Sequence, residues 1–140
     1  MSIKVTLGDW ETQREGAQAV RYQVFVVEQK VPLEMEWDEM DARCVHALVL
    51  DDEARPVATG RLLPDGHIGR MAVLPRARGN GVGAAVLQAL MKAAKARGDT
   101  RVMLNAQTHA EPFYARFGFV RDGEEFEEAG IPHIAMQCRI

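Results

Sequence analysis

The spacing of apolar residues changes several times along the chain, and each change marks an element. In SIKVTL (2–7) apolar and polar residues alternate, the period of a strand with one buried face. From Asp9 the spacing lengthens. Ala17, Val20, Val24 and Val27 recur every three or four residues, which predicts a helix with Asp9 as its N-cap. Pro32 and a run of acids break this stripe, so 29–42 reads as loop with one short helix around 35–41. CVHALVLD (44–51) and PVATGRLL (56–63) are β-rich and flank the polar DDEAR, the pattern of a hairpin. PDG (64–66) turns the chain once more, into a third strand, HIGRMAVL (67–74).

Helical spacing returns over 80–97. Val82, Val86, Leu90 and Ala94 line one face, with Leu87 and Met91 beside them. Lys92, Lys95 and Arg97 suit the negative end of that helix, and Gly98 stands at C′ as a stop. RVMLNA (101–106) reads as a short buried strand. AEPFYARFG (110–118) reads as a short helix with Pro112 in its first turn and Gly118 at its end. FVRDGEEF and PHIAMQCRI suggest a closing antiparallel pair. The order of elements is that of an α+β fold with a mixed sheet.

Composition narrows the function classes. A chain of 140 residues, 47% hydrophobic and 26% charged, fits one domain spanning 1–140. A net charge of -3 gives no support to general nucleic-acid binding, which usually needs a basic face. Cys44 and Cys138 are too few for a disulfide framework and read as reduced thiols. MSIKVTLGDW has no leader pattern and no apolar run reaches membrane length, so the expectation is a cytoplasmic protein with no membrane partner. Charge is uneven. EQKVPLEMEWDEMD (28–41) holds six acids against one lysine, and DGEEFEE (122–128) holds five with no base. Arg76, Arg78, Lys92, Lys95 and Arg97 gather instead around the central helix.

The stretch RARGNGVGA (76–84) joins the third strand to that helix, where backbone N–H groups at a helix start can hold an anion. It is not a Walker A loop, because no Lys-Ser or Lys-Thr follows the glycines. Its letters fit G-x-G-x-x-A, but a dinucleotide fingerprint belongs in a first βα turn with an acid ending the next strand, and here the next strand ends in NAQ. Glycines that merely let the helix pack closely are a further alternative. The R-x-x-G-x-G pattern of residues 78–83 between strand and long helix is the remaining one. With MAVLPRARGNGVGAAVL, NAQTHAEPFYARFGF, YQVFVVEQKVP and FEEAGIPHIAM, the chain resembles the GNAT superfamily of acetyl-CoA-dependent N-acetyltransferases, in its ElaA/YjcF-like subgroup.

The resemblance implies a GNAT fold: a mixed, mostly antiparallel sheet of about six or seven strands, split between the fourth and fifth, with about four flanking helices. It implies acetyl-CoA as co-substrate and no metal. The N–H groups of Gly79, Asn80, Gly81, Val82 and Gly83 would cradle the pyrophosphate, and Arg76 and Arg78 would add charge-assisted contacts. The backbone of Met71, Ala72 and Val73 would meet the pantetheine arm like an added strand, with the N–H near Val73 polarising the thioester carbonyl. Asn105 falls where family members bind pantetheine or a water, though a strand-end turn former would also account for it.

Tyr114 is the implied general acid, since a phenol keeps its proton at neutral pH and can give it to a thiolate. A core aromatic beside Phe113 and Phe117 is the structural alternative. Glu28, His46, Glu128 and His133 are candidates for the base, and Glu28, Glu128 and His133 are favoured as acceptor-site residues. The acidic loops, with Glu34, Asp38 and Asp41, suggest a small or cationic amine acceptor, lysine-like in character. Met35 and Trp37 could wall it. Open edges in a split sheet make a homodimer plausible. The alternative function is a CoA- or acyl-CoA-binding sensor that no longer catalyses.

Overall fold

In the computed structural model, residues 3–140 are described, so Ser2 of the expected first strand lies outside them. Four antiparallel strands form one sheet in sequence order: β1 (Val5–Gly8), β2 (Val45–Leu50), β3 (Pro56–Leu62) and β4 (Ile68–Val73). A second sheet is built on the long C-terminal strand β8 (Ile131–Arg139). It pairs with β5 (Arg101–Gln107) along one edge and with β6 (Val120–Arg121) and β7 (Phe126–Glu128) along the other. The single closing pair expected from the sequence is therefore three strands, because β6 and β7 pair with different stretches of β8.

The two sheets touch where β4 and β5 begin. One parallel bridge joins His67 to Met103, and the Met103 N–H donates to the Gly66 carbonyl at 3.1 Å. Beyond that point no ladder links β4 to β5, so the sheet splits between the fourth and fifth strands as the resemblance implies.

The helices are α1 (Trp10–Arg21), α2 (Leu33–Glu36), α3 (Val82–Ala96) and α4 (Glu111–Ala115). Asp9 caps α1, its carboxylate accepting the Thr12 N–H at 2.9 Å. The expected helical stripe does not run on unchanged to Val27. From Tyr22 to Glu28 the backbone is π-helical, ending with Gln29 N–H bonded to Val24 O. Each wider turn delays the phase of the stripe, so Val20 and Val24 are buried while Val27 is 45% exposed. The short helix expected around 35–41 is instead α2 followed by a 3-10 turn, Glu39–Arg43, separated at Trp37 by extended backbone.

Helix α3 buries Val82, Val86, Leu87 and Leu90 against Val49, Ala58 and Leu62 of the first sheet. Truncating a side chain such as Leu90 there costs about 2–5 kcal/mol. The opposite face receives α1, whose Val20 packs with Val24 and with Ala72 of β4. Between β3 and β4 the register slips: Thr59 pairs with Ala72 but Arg61 pairs with Gly69. Arg70 and Met71 thus stand together opposite Gly60, a β-bulge, and Arg70 takes a left-handed φ of 48°. Among the described residues no helix is long and apolar enough to cross a membrane.

Candidate active site in the split sheet

The unpaired edges of β4 and β5 open a groove of about 860 Å³. Leu74 N–H donates to Val57 O at 2.8 Å on the β3 side, so by strand alternation the N–H and C=O of Val73 face the split. There Arg78 Nε donates to the Val73 carbonyl at 3.0 Å. Helix α3 starts beside this edge with Gly81 as N-cap and no side chain capping it. Its first internal bond runs from Ala85 N–H to Gly81 O, so the N–H groups of Val82, Gly83 and Ala84 have no acceptor within the helix. Gly79 and Gly81 hold φ of 82° and 75°, and a Cβ on either would meet nothing within 4 Å. Backbone conformation selects glycine here, and it leaves open space over a positive helix end. That donor set fits a pyrophosphate.

The loop arginines have protein partners. Arg76 pairs with Asp51 at 2.8 Å, and Arg78 holds both oxygens of Glu28 at 2.8 and 2.7 Å. Asn80 Nδ2 donates to the carbonyls of Ala77 and Arg78, which shapes the loop. Of the residues singled out in the sequence, Met71, Ala72, Val73, Arg78 and Gly83 line the groove, and so do Glu28, Asn105, Tyr114, Glu128 and His133. Arg76, Gly79, Asn80 and Gly81 are exposed and outside that lining, and Val82 is buried in the core.

Tyr114 on α4 lies edge-on to Phe113 and Phe119, at ring-centroid distances of 5.1 and 6.0 Å. Burial alone pushes its phenol up to about 12, so the ring is at once a packed aromatic and a hydroxyl that keeps its proton. His133 on β8 is buried, with Nδ1 2.7 Å from the Ile131 carbonyl. A carbonyl can only accept, so Nδ1 carries a hydrogen, and in the tautomer this selects Nε2 is the nitrogen able to accept. That Nε2 lies 3.7 Å from Glu128 Oε2. Glu28 is held ionised by the hydrogen bonds from Arg78, which lower its pKa. His46 is not part of the groove: it is buried against Trp10, its Nε2 2.8 Å from the Asp41 carbonyl, and burial lowers its pKa.

The acidic stretch folds onto arginines that the sequence reading passed over. Arg21 on α1 donates to Glu36 at 2.7 Å and to Asp41 at 2.8 Å, all three side chains buried. Arg61 on β3 donates to Asp38 at 2.7 Å and to the same Asp41 oxygen at 2.8 Å. Hydrogen bonds from Arg61 hold the Asp38 carboxyl down at about 2. The free negative face expected for Asp38 and Asp41 is thus neutralised within the protein, while Glu34 stays exposed. Met35 lines the groove and Trp37 does not. A charged residue inside PVATGRLL and another inside IGRMAV were the available signals for Arg61 and Arg70. Gln29 and Gln107 exchange side-chain hydrogen bonds from the π-helical turn to β5, the shorter at 2.9 Å.

Comparison with known proteins agrees with this geometry. Residues 11–140 match the family model described as an acetyltransferase (GNAT) domain. The chain is 43% identical to the uncharacterized N-acetyltransferase YjcF of Bacillus subtilis (strain 168), over 96% of this chain and 98% of that one. Its fold superposes on Escherichia coli ElaA with a TM-score of 0.87 and 31% identity, covering 98% of this chain and 99% of the other. An acyl-CoA N-acyltransferase from Pseudomonas aeruginosa gives a TM-score of 0.87 and 33% identity, with the same coverage. The chain belongs to the GNAT acetyltransferase family, in its ElaA/YjcF-like subgroup.

Proposed function

We propose that residues 1–140 act as one N-acetyltransferase domain that binds acetyl-CoA in the split and acetylates the primary amine of a small acceptor by direct transfer. The observation that carries this reading is the open edge of β4 leading to the uncapped start of α3, with Tyr114 among the groove's lining residues. Acetyl-CoA, when bound, supplies an activated thioester.

The chain's own residues supply binding and proton handling. The N–H groups of Gly79 to Gly83 hold the pyrophosphate, and Arg76 and Arg78 exchange Asp51 and Glu28 for phosphate oxygens. The backbone of Met71, Ala72 and Val73 extends the strand pairing to the pantetheine amides, with Asn105 on the facing strand. Val73 N–H donates to the developing negative charge on the carbonyl oxygen. His133 Nε2 accepts a proton from the incoming ammonium or amine, with Glu128 beside it. Tyr114 Oη gives its proton to the leaving sulfur. Pairing with Arg78 favours the ionised form of Glu28 and so works against its taking up a proton.

The test is thiol release from acetyl-CoA with a panel of amines, with product masses measured. Amine-dependent release is expected, with kcat falling about a hundredfold in Tyr114→Phe and in His133→Gln while acetyl-CoA still binds. Release that stays at the hydrolysis background with every amine would contradict the reading.

A further inference from the structure

We propose that the acceptor carries a carboxylate as well as its amine, and that Arg70, backed by Arg61, binds that carboxylate at the acceptor end of the groove. This deepens the acetyltransferase reading and rests on it. Three guanidinium groups and three carboxylates meet under the α2 segment, but they are not equally matched. Arg21 and Arg61 take the short contacts of 2.7 and 2.8 Å with Glu36, Asp38 and Asp41. Arg70 is left with longer ones, 3.4 Å to Glu36 and 3.3 Å to Asp38, and its remaining bonds go to the neutral carbonyls of Glu36 and Met35. Its Nη1 donates to nothing among the described residues. Burial first, and then the neighbouring charge of Arg61, lower its pKa, as expected for a cation short of countercharge.

Two further features point to a ligand. Arg61 Nε is buried with no hydrogen-bond partner, on a side chain only 6% exposed that lines the groove. A buried unpaired donor is costly, and a bound acceptor group or a water beside it removes that cost. Directly opposite Arg61 in the register stands the groove-lining Gly69, where a Cβ would meet nothing within 4 Å, so the groove is open over that strand position. The bulge that holds Arg70 at a φ of 48° fixes the backbone of a groove-lining arginine in a conformation that side chains other than Asn and Asp rarely adopt. A carboxylate with two oxygens suits a guanidinium whose outer nitrogen is free.

The experiment compares matched probes, L-lysine with cadaverine and L-phenylalanine with phenethylamine, which differ only in the carboxylate. The carboxylated member should show kcat/KM about ten- to a hundredfold higher, the value of a hydrogen bond to a charged group. Arg70→Asn, whose side chain tolerates the left-handed backbone, should abolish that preference by raising KM for the carboxylated member alone. Arg70→Lys should restore part of it. Equal use of both members, or a preference that survives Arg70→Asn, overturns the proposal. A readout without turnover is the Nε–H resonance of Arg70 in 15N-labelled protein. It should move with the carboxylated probes and stay still with their partners, and no movement with any carboxylated probe overturns the proposal. Movement of the resonance without thiol release from any amine overturns the acetyltransferase reading instead.

Discussion

Arg78 and Glu28 form a two-armed ion pair at the groove, with nitrogen–oxygen distances of 2.8 and 2.7 Å, while Arg78 Nε holds the Val73 carbonyl at 3.0 Å. One side chain thus covers both the backbone edge and the charge proposed for the cofactor. Both partners are about two-fifths exposed (43% and 40%), so the pair itself adds less than about 1 kcal/mol to stability. Glu28→Gln should leave the melting temperature nearly unchanged. It should also free Arg78 for phosphate, tightening acetyl-CoA binding about two- to fivefold at low salt and less at high salt. Calorimetric titration at two ionic strengths reads this directly.

Tyr114 has its phenol pushed up to about 12 by burial. The hydroxyl stays protonated across the range in which the enzyme can be assayed, so no falling limb in the pH–rate profile below about pH 10 should belong to it. Tyr114→Phe should cut kcat about a hundredfold and leave the free energy of unfolding within about 1 kcal/mol of wild type. Steady-state thiol release and urea unfolding measure the two effects separately.

Asp41 serves two buried arginines at once, each at 2.8 Å. Asp41→Ala leaves Arg21 with Glu36 and Arg61 with Asp38, so the buried cluster is one negative charge short, and it should destabilise the fold by about 3 kcal/mol in urea unfolding. It should disturb the segment that carries Glu36, Asp38 and Asp41 more than the α3 core, which hydrogen exchange would show as lost protection around 33–43 first.

Asp38 sets an acid limit. Its carboxyl sits at about 2 in the fold, held there by Arg61, against about 3.9 in an unfolded chain. Between these values the unfolded state binds more protons. The stabilisation from Asp38 is therefore complete above about pH 4 and drains away as the pH falls to about 2. The side chain is 34% exposed, so solvent screening reduces its size. Asp38→Asn should flatten the dependence of stability on pH between about 4 and 2, and a wild-type slope retained in the variant would assign it to other carboxylates.

Much of this site was legible in local patterns. The glycines of RARGNGVGA marked a helix start with open N–H groups, and in the fold Gly79 and Gly81 hold left-handed φ there. The periodicity of Val82, Val86 and Leu90 identified the buried face of α3 because packing on a sheet requires it. Long-range pairing was not legible. Six acids in 28–41 look like a solvated or substrate-facing run until Arg21, Arg61 and Arg70 are brought against three of them from other elements. The β-bulge was also hidden, since its cause is the mismatch between two strands and not the letters of either. The π-helical turn after Arg21 escaped for the same reason: VFVV fits helical spacing until a wider turn shifts its phase.

The most direct measurement is thermal unfolding of wild type and Gly81→Glu with acetyl-CoA, free CoA and NADH. A ligand that binds only the folded state raises the midpoint by mass action. Both CoA species should raise the wild-type midpoint and NADH should not. Gly81→Glu, which puts a strained, negatively charged side chain at the start of α3, should lose the CoA response. No shift with either CoA species, or a shift with NADH alone, would contradict acetyl-CoA binding in the split between β4 and β5.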